Sequence, residues 1–146
     1  MSDAAAPGPA AHFSIRRLVT FAETDMAGIA HFSNYFRWME EVEHAFFRCH
    51  GLSVAMTHEN VEIGWPRVNV ACEFHGPLRF EDEVELRLRV TKVGGKSLSY
   101  EVDFLQAGKL VALGKSTSVC CRHTPGGLKA VTIPDSIREK LTTSAA

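Results

Sequence analysis

The sequence predicts an α+β fold: five antiparallel strands forming one sheet around one long central helix, with a short C-terminal helix. Three observations carry this. Residues 83–90 (EVELRLRV) and 97–104 (SLSYEVDF) alternate strictly between apolar and polar, the period of a strand with one buried and one wet face. Residues 33–50 repeat apolar side chains at spacings of three and four: Tyr35, Met39, Val42, Phe46 and Cys49, with Trp38 and Ala45 beside them. The order of segments is β-α-β-β-β-β, with no internal repeat.

The first strand is expected over 13–22, where β-branched and aromatic residues cluster. Ser33 and Asn34 are both candidate N-caps of the long helix. Three strands follow at 66–75, 83–90 and 97–104, and the last at 109–121. Gly94-Gly95 and Ala107-Gly108 supply hairpin turns. The TPGG stretch at 124–127 is expected to end the sheet. Residues 134–141 form a short helix with Pro134 near its first turn.

Apolar residues make up 45% and charged residues 23%, as in ordinary globular proteins, and 146 residues suit one domain. A formal net charge of -1 gives no broad field for nucleic acid or an anionic membrane. No stretch approaches the ~18 apolar residues of a membrane span. Residues 1–11 (MSDAAAPGPAA) lack the basic and apolar regions of a signal peptide and are expected to be a disordered tail, leaving 12–146 as the domain. Cys49, Cys72, Cys120 and Cys121 form no C-x-x-C pair and read as buried reduced thiols, which suits the cytoplasm.

The common nucleophile motifs are missing. Gly51-Leu52-Ser53, Gly95-Lys96-Ser97 and Gly114-Lys115-Ser116 each lack the second glycine of a nucleophile elbow. The seven histidines fall in neither H-E-x-x-H nor H-x-x-E-H, so no metal is expected. Asp25 stands out instead, ahead of Gly28 and the helix start. Such an aspartate can be a cap. It can also be an ionised carboxylate, with a reference pKa of about 3.9, beside unpaired helix N–H groups able to hold an oxyanion. A thioester suits the second arrangement. Its thiol, with a pKa of about 8.5, leaves without a strong general acid, whereas peptide hydrolysis needs a base that turns into an acid.

The stretch TDMAGIAHFSNYFRWME, residues 24–40, resembles the signature of hot-dog fold acyl-CoA thioesterases. It is most similar to the branch of 4-hydroxybenzoyl-CoA thioesterase and the Tol-Pal-associated thioesterases. Asp25, Gly28, Ile29, Asn34 and Tyr35 match the pattern, and the likeness extends over roughly residues 13–122. The resemblance implies Asp25 as nucleophile or general base and the Phe32 backbone N–H as the oxyanion donor. It implies a loop opened by Gly28 and a substrate-binding role for Asn34 and Tyr35. It further implies a homodimer or homotetramer with sites between subunits, acyl-CoA as substrate and no cofactor. The sequence departs from the pattern in the order His31-Phe32, which bears on a catalytic role for His31. It departs again at Val93-Gly94-Gly95, where only Lys96 matches a turn that touches CoA phosphates. Arg67 and Arg79 read as surface residues, and Pro77 and Asp82 as turn residues. The rival readings are a hot-dog hydratase or dehydratase pairing Asp25 with His31, and a non-catalytic acyl-CoA binding module.

Overall fold

The computed structural model describes residues 13–143; the expected N-terminal tail lies outside the described residues. Five strands form the larger sheet: β1 (Phe13–Leu18), β4 (Arg67–Phe74), β5 (Glu83–Val93), β6 (Ser97–Gln106) and β7 (Lys109–Val119). Their spatial order is β1-β5-β6-β7-β4, every pair antiparallel. The long helix α1 spans Ser33–Cys49, and α2 spans Asp135–Leu141.

Alternation decides the faces. Leu86, Leu88, Val102 and Phe104 are buried in the core with the α1 residues Trp38, Met39, Val42, Phe46 and Phe47. On the same strands the charged residues point the other way, where Arg89 bridges Glu101 and Asp103. Gly114 lets the helix approach closely: a Cβ there would stand 2.6 Å from the Met39 Sδ. Each fully buried Leu or Phe on this face contributes roughly 1.5–3 kcal/mol of hydrophobic free energy.

The long helix and the short C-terminal helix are both present among the described residues, but the expectation of a single sheet is corrected: the strands are divided between two sheets. The second sheet has the order β2-β3-β8-β9, from β2 (Met56–His58), β3 (Val61–Gly64), β8 (Cys121–Thr124) and β9 (Gly127–Ala130). The strand expected over 109–121 breaks at Cys120, and the chain passes there from one sheet to the other. TPGG does not end the sheet; it is the turn of the β8–β9 hairpin, with the Thr124 hydroxyl donating to the Gly127 carbonyl. The first strand is also shorter than expected, because Phe21–Glu23 form a turn of 3-10 helix.

Two further expectations fail locally. Neither Ser33 nor Asn34 caps α1: the N-cap position is Phe32, itself helical, with no side-chain cap. Cys49 is exposed rather than buried, because the last turn of α1 leaves the core. Cys120 and Cys121 are buried and Cys72 is half-buried; all four cysteines are free thiols. No helix among the described residues is long and apolar enough to cross a membrane.

Among the described residues β4 is a sheet edge, paired only with β7. It leaves Val68, Val70 and Phe74 exposed. Unpaired apolar edges of this kind invite a second strand.

Candidate active site

The site grows from the loop that joins β1 to α1. The loop turns back on itself at Asp25–Gly28: the Gly28 N–H donates to the Asp25 carbonyl and the Asp25 N–H to the Ile29 carbonyl. An isolated bridge between Thr24 and Ala30 closes it. Gly28 has φ +81°, a conformation that a side chain strains. Asp25 is therefore not a cap of α1; it belongs to a tight loop eight residues earlier. The Ala27 N–H donates to its Oδ1 at 2.9 Å, and its Oδ2 accepts no hydrogen bond among the described residues. The half-buried carboxylate reaches a cleft of about 400 Å³ lined also by Ile29, Ala30, Phe32, Tyr35, Phe74, Gly76 and Pro77.

Phe32 stands at the head of α1. The following amides turn inward to Phe32 itself and to His31: Asn34 N–H donates to the His31 carbonyl and Tyr35 N–H to the Phe32 carbonyl. The Phe32 amide has no partner among the described residues, and the helix dipole adds partial positive charge there. An unengaged carboxylate oxygen and an unengaged helix-end amide thus belong to residues of one cleft. Tyr35 forms its floor, buried, with its ring edge-on to Phe74 at 4.9 Å. Burial, with the Cys72 side chain, pushes the Tyr35 hydroxyl up to about 12.

The other expected site residues do not all gather at this centre. Gly28 shares a neighbouring cleft with Asp25. His31 does not line the Asp25–Phe32 cleft; its ring packs on Phe32 at 4.6 Å and its Nδ1 lies 2.8 Å from the Ser33 Oγ. Asn34 is buried, and its Nδ2 donates to the Glu23 carbonyl. Lys96 sits after the β5 end at Val93, whereas the Asp25 loop is tied to residues 78–82 before β5 begins. Eleven residues of strand put Lys96 roughly 35 Å away within one chain.

Sequence reasoning missed the residue that holds the loop in place. Both Glu23 carboxylate oxygens are engaged: by the two Arg17 Nη groups at 2.9 Å, by the Thr20 N–H and by the Trp38 Nε1. Burial acts to raise the Glu23 carboxyl, but these donors outweigh it and hold the group at about 2. Its signal was present, because Thr20-Phe-Ala-Glu23 has the spacing of a capping box. A second polar cleft, about 290 Å³, was missed as well. It lies farther along α1, lined by Glu40, Glu43, His44, Val54, Trp65 and Arg67. Buried Glu43 pairs with Arg67, which also donates to Ser116. The buried Trp65 Nε1 has no hydrogen-bond partner among the described residues. Arg67 is thus a paired cleft residue rather than a surface one.

Relatives agree with this architecture. Residues 19–141 match the model of the thioesterase-like superfamily. A putative esterase of Aquifex aeolicus is 32% identical over 130 residues, covering 88% of this chain and 97% of that protein. A 1,4-dihydroxy-2-naphthoyl-CoA hydrolase of Trichodesmium erythraeum is 29% identical over 131 residues, covering 88% and 94%. Among solved structures, a gentisyl-coenzyme A thioesterase superposes with a TM-score of 0.76 at 29% identity, covering 89% of this chain and all of the other. The chain belongs to the thioesterase-like superfamily of hot-dog fold enzymes, whose relatives named here are esterases, hydrolases and thioesterases.

Proposed function

We propose that this protein hydrolyses acyl-CoA thioesters, with Asp25 as the carboxylate and the Phe32 amide as the oxyanion donor. The observation that carries the reading is that Asp25 and Phe32, each with an unengaged polar group among the described residues, line one cleft. Asp25 removes a proton from water as the water oxygen attacks the thioester carbon, or it attacks that carbon itself. Either way the carbonyl oxygen becomes an oxyanion facing the Phe32 N–H. The C–S bond then breaks, and coenzyme A leaves as thiolate and takes up a proton. In the direct-attack route, water afterwards opens the mixed anhydride. Neither route requires a cofactor or a metal. Free thiols fit a cytoplasmic setting.

The acyl group is best read as a hydroxylated aromatic ring. Phe32, Tyr35 and Phe74 give the cleft aromatic walls, and two relatives are named for dihydroxynaphthoyl and gentisyl esters. The 4-hydroxybenzoyl group of the signature branch is a third member of this class. A homodimer through the β4 edge completes the picture. Pairing two such edges about a two-fold axis is necessarily antiparallel. The Arg67 end of each strand then lies beside the Phe74 end of the other. A homotetramer would pair two such dimers.

Thiol release from a panel of aroyl-, fatty acyl- and acetyl-CoA tests the reading. Turnover is expected to be fastest on hydroxyaroyl-CoA. Binding without thiol release from any ester would leave an acyl-CoA binding module. Loss of an enoyl-CoA double bond without free thiol would favour a hydratase, for which His31, turned to Ser33, offers no support.

A further inference from the structure

Tyr35 carries a polar group that the proposed reaction does not use. Of the residues lining the Asp25–Phe32 cleft, only Asp25 and Tyr35 have polar side chains. Tyr35 and Tyr100 are equally deep, 3% and 2% exposed. The Tyr100 oxygen is fully enclosed. The Tyr35 oxygen is not, and it has no hydrogen-bond partner among the described residues. The ring that bears it is fixed between Trp38, Phe104 and Phe74, at centroid distances of 5.1, 5.3 and 4.9 Å. The hydroxyl therefore has a set position. Cys72 on β4 acts on it electrostatically, but the Cys72 thiol donates to the Glu73 carbonyl.

A fixed, unpaired hydroxyl in an apolar cleft discriminates through what a wrong ligand fails to replace. A group that displaces its water and offers no hydrogen bond leaves a buried polar atom unpaired, at a cost the complex does not recover. A group that pairs with it avoids that cost, and sites of this kind reject the analogue lacking the group. Charge narrows the choice. Burial pushes the Tyr35 hydroxyl up to about 12, so at neutral pH it keeps its proton and can both donate and accept. The Asp25 carboxylate on the same cleft disfavours a second anion. We propose that the Tyr35 hydroxyl pairs with an uncharged ring hydroxyl of the acyl group and selects hydroxylated over plain aroyl esters. The assignment rests on the thioesterase function proposed above and adds the residue that sets its specificity.

The test measures thiol release from benzoyl-CoA and from the 3- and 4-hydroxybenzoyl esters. It compares the wild type with Tyr35→Phe, which keeps the ring and its packing. The wild type is expected to favour a hydroxybenzoyl ester in kcat/KM. Tyr35→Phe is expected to lower that preference about ten-fold, with a thermal midpoint close to wild type. An equal change on all three esters would make Tyr35 a packing residue, and an unchanged preference would give the ring hydroxyl another partner; either overturns the proposal. So does a wild type without the preference, or one that cleaves fatty acyl-CoA and none of these esters, though the thioesterase reading then stands. Thiol release from no ester at all would take both.

Discussion

Glu23 accepts four hydrogen bonds from Arg17, Thr20 and Trp38, whereas Asp25, two residues on, accepts one from Ala27. Both are acidic, both are half-buried, and both stand on the same loop. Glu23 is spent on structure: it joins β1, through Arg17, to α1, through Trp38. Asp25 keeps one oxygen for something else. The difference arises from partners, not from residue type. Glu23 meets donors from Arg17, Thr20 and Trp38, while Asp25 meets no side-chain donor among the described residues and lines two clefts.

The comparison can be broken most directly at Asp25. Asp25→Asn keeps the shape and can still accept from the Ala27 N–H, but it removes the charge. We expect thiol release to fall about 100-fold or more, the scale of a lost base, while the thermal midpoint stays close to wild type. A folded Asp25→Asn with ordinary turnover would end the carboxylate mechanism.

Glu23→Gln should show the reverse pattern. Losing the charge-assisted bonds to Arg17 is expected to cost about 2 kcal/mol of stability, seen as a lower urea midpoint, with turnover per folded molecule changed much less. The pH dependence sharpens this. The Glu23 carboxyl is held at about 2, below its ordinary 4.5. Its contribution is therefore complete above pH about 4.5 and is lost as pH falls towards about 2. The stability gap between wild type and Glu23→Gln should close over that window. A gap that is constant from pH 6 to pH 2 would show that Glu23 acts through packing alone.

Smaller effects are expected beside them. Phe32→Ala leaves the amide in place, so turnover should fall only a few-fold; a loss equal to that of Asp25→Asn would assign the work to the ring. His31→Ala should change turnover least, because its ring faces Ser33 and Phe32 rather than the cleft. A loss on the scale of Asp25→Asn would return histidine to the mechanism.

Alternation made β5 and β6 legible, because each is long and has one buried face. The β2, β3, β8 and β9 strands were not legible: three or four residues show no period, and the β3–β8 pairing that joins the two short hairpins is distant in sequence. The helical stripe named Met39, Val42 and Phe46 correctly, but it ran on to Cys49 past the point where the sheet stops covering the helix. At the site, the signature pointed to Asp25 and Phe32, which line one cleft. Their separation from Asn34, which anchors the loop, and from Lys96, at the other end of β5, could not. Those differences depend on contacts that no local pattern encodes. Trp38 reaches Glu23 across fifteen residues, and Arg67 reaches Glu43 across twenty-four.

The Glu23 carbonyl accepts both the His31 N–H and the Asn34 Nδ2. One peptide oxygen therefore fixes the returning loop and the first turn of α1 together. Local opening of either should release the other, so the amides of Ala30 and His31 should exchange with solvent in step with those of the first complete turn of α1. The loop that carries Asp25 and the helix start would then form one cooperative unit, and a partly unfolded molecule would lose the whole cleft rather than retain a weakened one.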